Sequence, residues 1–280
     1  PEFEKIAIFG LGLIGGSIAI AARSTWPTGL VIGVDEKSVL EQAMVLSAID
    51  VASDDPVVIA EADLVILAAP VRVNIRLLGE LAQNLSGNAV VTDVSSTKRV
   101  ITEASKNLPG RLRFVGGHPL GGAPRGGIEH ARPDLFQKRP WIFTPTDETD
   151  RESVEKLQRF VTALGAEPFT LSPSEHDRVL AFLSHVPQLT ASVLMHIVGE
   201  AVGDSGLSLS GRGLADTTRL ATSPASIWRD ICLTNTDEVR EALDVLISEL
   251  ELLREDLSTG DDLVRIFESA GKWRRLLAQK

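Results

Sequence analysis

At roughly 150 residues per domain, a chain of 280 residues holds two domains or one large one. With 44% apolar and 24% charged residues it is no disordered chain and can bury a sizeable core. Its 38 acidic and 28 basic residues leave a net charge of −10. That argues against nucleic acid or an anionic membrane as the main partner, because no excess of cations exists to replace condensed counterions.

The first predicted strand is Lys5–Phe9. It leads into an apolar stretch, Ile6 to Ala22, that four glycines interrupt and that reads as neither a signal peptide nor a membrane span. Further strands are predicted at Leu30–Val34, Leu64–Ala68, Ala89–Asp93, Leu112–Gly116, Trp141–Thr144 and Glu167–Leu171. Helical spacing fills intervals such as Val73–Leu85 and Lys98–Leu108. Strand and helix in alternation predict a doubly wound, mostly parallel sheet covered on both faces. The apolar runs Leu64–Ala68 and Ala89–Val91 suit central strands buried on both sides.

Gly10-Leu11-Gly12-Leu13-Ile14-Gly15 follows the first strand directly and opens a helix, and Asp35 ends the second strand 20 residues beyond Gly15. The chemistry explains the spacing. Gly10 permits the tight turn, Gly12 lets the backbone approach a pyrophosphate, and Gly15 permits close helix–strand packing. The N–H groups around Leu13 and Ile14 then face the phosphates. This is the fingerprint of a Rossmann-type dinucleotide domain, expected over residues 1–171. Asp35 would accept from the ribose hydroxyls and repel a 2′-phosphate, and Glu36 beside it offers no cation, so NAD is expected rather than NADP.

Ligands of such sheets lie beyond the carboxyl ends of the strands. Three segments occupy that rim. Ala69-Pro70-Val71 is small enough for a flat cofactor ring to approach. Asp93 through Lys98 brings hydroxyls and a cation, with Ser95 a candidate cofactor contact. Gly116-Gly117-His118-Pro119 brings an imidazole, and the loop from Gly121 to Pro133 that follows is rich in glycine and proline, as functional loops of that length often are. Of five histidines, only His118 combines a strand end, flanking glycines and a following proline, which makes it the candidate acid–base catalyst. His130 and His196 read as structural or surface residues; His176 and His185 are open. No metal site is expected.

Beyond Leu171 no strand signal appears. Ser172-Pro173-Ser174-Glu175 is a capping box with proline at the first helical position. Helices are predicted from Pro173 to about Val202 with a kink near Pro187, then at Gly213–Ala221, Pro224–Leu233, Asp237–Leu257 and Asp261–Ala278. Val239, Leu243, Leu246, Ile247, Leu250 and Leu253 share one face at helical spacing. Residues 172–280 are thus expected to form an all-helical substrate and dimerisation domain, whose long amphipathic helices pack on the first domain or on a second copy of the chain. The only cysteine, Cys232, excludes an intrachain disulfide and fits a reducing cytoplasm.

With these segments assembled, the chain resembles the prephenate/arogenate dehydrogenases of tyrosine biosynthesis. The likeness runs through Gly10–Gly15, Asp93–Lys98, Gly117-His118-Pro119 with Gly122 and Gly127, and Glu175-His176-Asp177. It continues through Ser184-His185-Val186-Pro187, Asp216-Thr217-Thr218-Arg219 and Pro224 through Asp230. The resemblance implies oxidative decarboxylation of an anionic cyclohexadienyl substrate, with hydride passing to NAD. It implies that His118 takes the proton of the ring hydroxyl, that Ser96 contacts that hydroxyl and orients His118, and that Arg219 binds a substrate carboxylate. It also implies a dimer formed through the helical domain, with Trp228 reaching toward the partner's site. Lys98 and Arg125 are possible further cations for the anionic ligands. Ala123 and Pro124 stand where many members carry threonine and a polar or acidic residue, and Gln188 where many carry histidine; all belong to the substrate pocket. Absence of an acid at Pro124 favours prephenate over arogenate, while Asp177 is the candidate partner for an amine. With no further domain after the helices, feedback by tyrosine is expected at the active site or between subunits.

Two other readings compete. A two-domain reductase of hydroxy acids or imines shares this plan, but the hydroxy-acid enzymes place a lysine on the first long helix of the second domain, and none occurs between Pro173 and Val202. A non-catalytic dinucleotide sensor would keep the fingerprint and the dimer without needing His118, Ser96 and Arg219 together.

Overall fold

The computed structural model describes residues 1–122 and 125–279. Eight strands form one sheet: β1 (Lys5–Phe9), β2 (Leu30–Val34), β3 (Val51–Ser53), β4 (Leu64–Leu67), β5 (Ala89–Asp93), β6 (Leu112–Pro119), β7 (Pro140–Thr144) and β8 (Glu167–Thr170). Their order is β3-β2-β1-β4-β5-β6-β7-β8. All neighbours run parallel except β6 and β7. The order reverses between β1 and β4, which opens the crevice where a doubly wound sheet takes its ligand.

Alternate residues of the central strands feed two separate cores. Ile6, Ile8, Leu64 and Ile66 join Phe3, Ile18, Trp141, Phe143 and Phe160 on one face. Ala7, Phe9, Val65 and Leu67 join Ile32, Leu78, Leu81 and Ile101 on the other. Burial on both faces is why these strands read as unbroken apolar runs. The covering helices are α1 (Leu13–Thr25), α2 (Lys37–Val45), α3 (Val71–Asn84), α4 (Arg99–Ser105) and α5 (Arg151–Ala163).

Several boundaries shift by a residue or two from expectation, and three differences are larger. β3 has only three residues, too few to display a period. The helix expected at Lys98–Leu108 is shorter, Arg99–Ser105. β6 runs on to Pro119, because β7 turns back antiparallel and pairs His118 with Ile142. His118 therefore sits inside a strand rather than in a loop beyond one.

The helical half follows: α6 (Pro173–Leu180), α7 (Val186–Leu207), α8 (Arg212–Thr217), α9 (Ala225–Thr234), α10 (Thr236–Asp256) and α11 (Asp261–Leu277). The capping box forms as predicted, with the Ser172 hydroxyl accepting from Glu175 N–H and the Glu175 carboxylate accepting from Ser172 N–H. The kink expected near Pro187 is a π-helical turn, Ala181–His185. Proline brings no N–H for the carbonyl four residues back, and the widened turn just before it accommodates that loss. On α10 Val239 is buried, Leu243, Leu246 and Leu253 are half-buried, and Ile247 and Leu250 stay exposed, so one chain covers only part of that face.

Candidate active site

The glycine turn is built to hold an anion. Gly10 has φ +88, and a Cβ there would lie 2.8 Å from the Ala68 and Ala69 backbone. A Cβ on Gly15 would lie 1.9 Å from the Gly10 carbonyl oxygen, so α1 could not approach β1 with any side chain at that position. Gly12, by contrast, faces open space and caps α1 without a side-chain partner for the first-turn N–H groups of Leu13, Ile14 and Gly15. Those orphan donors and the helix dipole suit a phosphate. Asp35 is pinned beside the turn: its carboxylate accepts from Leu11 N–H at 2.6 Å and from Glu36 N–H at 2.7 Å. Each oxygen keeps a lone pair for a ribose hydroxyl. The residues fit NAD. Replacing Asp35 with asparagine keeps an acceptor for Leu11 and removes the charge. Steady-state kinetics should then show NADP gaining on NAD about 10-fold or more, as removal of a close like-charge repulsion predicts; an unchanged ratio would contradict the role of Asp35.

The next rim segments are tied together by Asn74 of α3, which is fully buried. Its amide oxygen accepts from Ala69 N–H at 3.1 Å; its amide nitrogen donates to the Leu67 and Ala69 carbonyls and, at 2.9 Å, to the Ser95 hydroxyl. Ala69, Pro70 and Val71 are thus fixed relative to Ser95, whose hydroxyl has a structural partner. Ser96 stands half-exposed between buried Ser95 and Thr97.

Asp93 and Lys98, both fully buried, pair at 2.5 Å. Asp93 also accepts from Ser95 N–H at 2.9 Å and Gly117 N–H at 3.1 Å, while the Lys98 ammonium donates to the Gly117 carbonyl at 2.6 Å. Burial pulls Lys98 below its ordinary pKa, and Asp93, with Asp177 behind it, opposes that pull. The pair clamps the residue before His118. A Cβ on Gly117 would lie 2.7 Å from the Asp93 carbonyl oxygen, hence glycine. Lys98 is therefore not a free cation for an anionic ligand, contrary to expectation.

His118 Nδ1 lies 2.8 Å from His176 Nε2, and His176 Nδ1 lies 2.9 Å from Asp177 Oδ1. Asp177 accepts in addition from the backbone N–H of Lys98 at 2.7 Å, the backbone N–H of Arg99 at 2.9 Å and Arg99 Nε at 3.3 Å. Its carboxylate is fully buried and spent on these donors, so the expected role as partner of a substrate amine is corrected: Asp177 holds His176. Burial alone would raise its pKa, but hydrogen bonds from His176, Arg99 and Lys98 outweigh that and keep it below the usual carboxylate value. Burial above all, then His176, Lys98 and His185, hold His118 neutral, well below the ordinary imidazole pKa. The hydrogen bond that orients His118 is made to His176, where the resemblance had implied Ser96.

Arg99 fastens the two halves around this cluster. It donates to Asp237 at 2.7 Å and to the Asn235 side-chain oxygen at 2.9 Å. The Arg99 hydrogen bond brings Asp237 down to about 2. Asn235, fully buried, donates to the Asp177 carbonyl at 2.9 Å and toward His185 Nδ1 at 3.4 Å. That leaves the proton of His185 on Nε2, which is buried and without a partner among the described residues. Burial first, and His176 with it, lower His185 to about 4 against the pull of Asp177, so it is a neutral donor.

Arg219 lies outside this hydrogen-bonded cluster, exposed at the start of a single 3-10 turn, Arg219–Thr222. Gln188 of α7 holds that turn: its amide nitrogen donates to the Leu220 carbonyl at 2.7 Å and to the Ser192 hydroxyl at 3.2 Å, and its oxygen accepts from the Ser223 hydroxyl at 3.0 Å. With both ends of its amide engaged, Gln188 braces the Arg219 turn instead of meeting a ligand, which corrects the expected contact. Trp228 of α9 is half-buried and packs edge-on against His185, ring centroids 6.1 Å apart. Arg125 is exposed, and the departures at Ala123 and Pro124 lie outside the described residues. Sequence reasoning missed Asn74 and Asn235 and left His176 open; the one signal available was the His–Asp pair set just after a strong helix start.

The family sequence model described as the nucleotide-binding domain of prephenate dehydrogenase matches residues 18–169, and the one described as its dimerization domain matches residues 172–269. The chain is 36% identical to the prephenate dehydrogenase of Bacillus subtilis over 97% of its own length and 75% of that protein. It is 33% identical to the cyclohexadienyl dehydrogenase of Zymomonas mobilis, covering 98% of this chain and 96% of that one. The crystal structure of prephenate dehydrogenase from A. aeolicus in complex with hydroxyphenyl propionate and NAD+ superposes with a TM-score of 0.92 at 29% identity, covering 98% of each chain.

Proposed function

This chain belongs to the prephenate dehydrogenase family, and on that premise we propose that it oxidatively decarboxylates prephenate with NAD in the synthesis of tyrosine. The observation that carries the reading is a neutral, buried imidazole, His118, oriented from behind by His176 at 2.8 Å and placed at the carboxyl end of β6, on the same rim of the sheet as the anion-ready glycine turn that follows β1. NAD, when bound, supplies the acceptor for the hydride that leaves the hydroxyl-bearing ring carbon. As that carbon becomes carbonyl-like, His118 takes the hydroxyl proton. Carbon dioxide then departs from the opposite ring carbon, the ring becomes aromatic, and His118 returns the proton to the phenol oxygen. Ser96, half-exposed beside the site, is assigned to the same hydroxyl, and the His185 Nε2–H to an oxygen of the substrate.

Arg219 is assigned to a substrate carboxylate. With a net charge of −10 the chain cannot attract a dianion at long range, so a local guanidinium has to do so. Since the Asp177 carboxylate is fully used within the protein, this chain offers no evident partner there for the ammonium of arogenate, which favours the keto acid; the cyclohexadienyl dehydrogenase relative supports a dual enzyme as the second reading. Measuring kcat and KM for prephenate and arogenate side by side, on wild type and Arg219→Gln, tests both points. Prephenate should be preferred, and Arg219→Gln should raise its KM roughly 10- to 100-fold, the worth of a charged hydrogen bond, with kcat less affected. An unchanged KM would remove Arg219 from the site, and preference for arogenate would overturn the substrate assignment.

Residues 1–171 are assigned to cofactor binding and 172–280 to the substrate and to a homodimer. The helical half matches a dimerization domain, and it exposes Val193, Ile197, Phe267 and Trp273 in the single chain. α11 has no buried residue at all. Among the described residues one helical stretch, Pro173–Leu207, is long enough to cross a membrane and contains an 18-residue window with a mean hydropathy of 1.3. Its first half is occupied by His176, Asp177 and His185 in contacts with the other elements, so its exposed apolar side is assigned to the second copy. The single cysteine supports a cytoplasmic location.

A further inference from the structure

His118 lies near the end of β6, while His176 and Asp177 lie in the first turns of α6, so the three side chains join the two halves of the chain. The acceptor at the far end decides the tautomers. A carboxylate can only accept, so the proton between Asp177 and His176 sits on His176 Nδ1. A neutral His176 then has a bare Nε2, which accepts from the Nδ1–H of His118. His118 is left with a bare Nε2, the nitrogen that can receive a proton from the substrate. Asp177 can hold this arrangement because the backbone N–H groups of Lys98 and Arg99 fix the carboxylate itself.

We propose that the proton His118 takes from the substrate hydroxyl is passed on to His176, held there against Asp177, and returned when the phenol forms. This rests on the reading of His118 as the base. The bonds balance: the substrate O–H breaks as His118 Nε2–H forms, and His118 Nδ1–H breaks as His176 Nε2–H forms. The reverse shift restores both rings, in keeping with a product that retains one proton on that oxygen. Charge placement favours the transfer. A cation on His118 would be buried facing the Lys98 ammonium, with His185 beyond, and the nearby Asp93 carboxylate is already committed to Lys98. Moved to His176, the same charge touches a carboxylate directly. Burial, and Lys98 with it, still hold His176 below its ordinary pKa although Asp177 and Asp93 oppose them, which allows the proton to be given back.

The test compares His176→Gln, Asp177→Asn, His118→Asn and the double variant His118→Asn/His176→Gln. Glutamine keeps an acceptor toward His118 but cannot store a proton. His176→Gln and Asp177→Asn should each lower kcat about 10- to 100-fold, the loss typical of removing a partner that orients an imidazole, with KM for prephenate and NAD binding unchanged. In the His118→Asn background the His176 substitution should cost nothing more, because the two act as one unit. A loss that adds in that background as well would mean that His176 acts on the fold and not through His118, and would overturn the proposal. If His176→Gln alone turns over like wild type while His118→Asn does not, the proton store is wrong and the base stands; if His118→Asn is fully active, both fall. On the unmodified enzyme, single-turnover rates in mixtures of light and heavy water should bow with deuterium fraction, as two moving protons require. A straight line would overturn the relay even if the variants fail to fold.

Discussion

Substituting asparagine for His118 is expected to lower kcat by about 10²–10⁴, the range for losing a positioned acid–base group, while NAD binds as before. Asparagine has similar reach and can still meet His176, so the site should keep its shape. What it lacks is a nitrogen able to take and return a proton. The cofactor cradle lies elsewhere, on Gly10, Gly12, the first turn of α1 and Asp35, so a fluorescence titration with NAD should be unaltered. The wild-type pH profile carries the same mechanism. A base works in its neutral form, and burial together with His176, Lys98 and His185 pulls His118 well below the ordinary imidazole value. The acid limb of kcat/KM should therefore lie below pH 6.5, the model-peptide value. A variant within threefold of wild type would remove His118 from the chemistry.

Lys98→Met is expected to be the most damaging single change to stability. It leaves the Asp93 carboxylate, fully buried, without its counter-ion, and breaking a buried pair from one side costs about 3–5 kcal/mol. Two backbone N–H groups still point at Asp93, so the carboxylate is not abandoned, but they cannot neutralise it. Urea unfolding of the wild type, Lys98→Met and the double variant Lys98→Met/Asp93→Asn would measure the loss, and the double variant should recover part of it by removing the orphaned charge. Activity should fall with stability in the single variant, because the same ammonium holds the Gly117 carbonyl next to His118. A loss below about 1 kcal/mol, the size of an exposed pair, would show that the clamp is not structural.

The strands were legible where burial on both faces forces continuous apolar runs. β1, β2 and β5 begin and end where the residue pattern places them. β3 was not, since three residues display no period, and the extension of β6 through His118 depends on pairing with β7, which no local signal carries. The cofactor turn was legible because each glycine answers a local steric demand. The polar partners around His118 and Arg219 were not: Asp177, Gln188 and Lys98 were expected to meet a substrate, and only the folded chain shows their polar atoms already used, Asp177 by Lys98 and Arg99 of the first domain, Lys98 by Asp93 and Gly117, and Gln188 by Leu220 and Ser223 of the helical half. Asn74 and Asn235, whose amides tie loops together from buried positions, carry no pattern by which a sequence could distinguish them from surface residues.

The central claim is that hydride loss and decarboxylation occur together at the site built around His118. Mixing the enzyme with prephenate and limiting NAD, and following NADH by absorbance and carbon dioxide by trapping, tests it most directly. One carbon dioxide should appear for each NADH, with none when NAD is omitted. NADH formed without carbon dioxide, or no turnover with either prephenate or arogenate, would contradict the account.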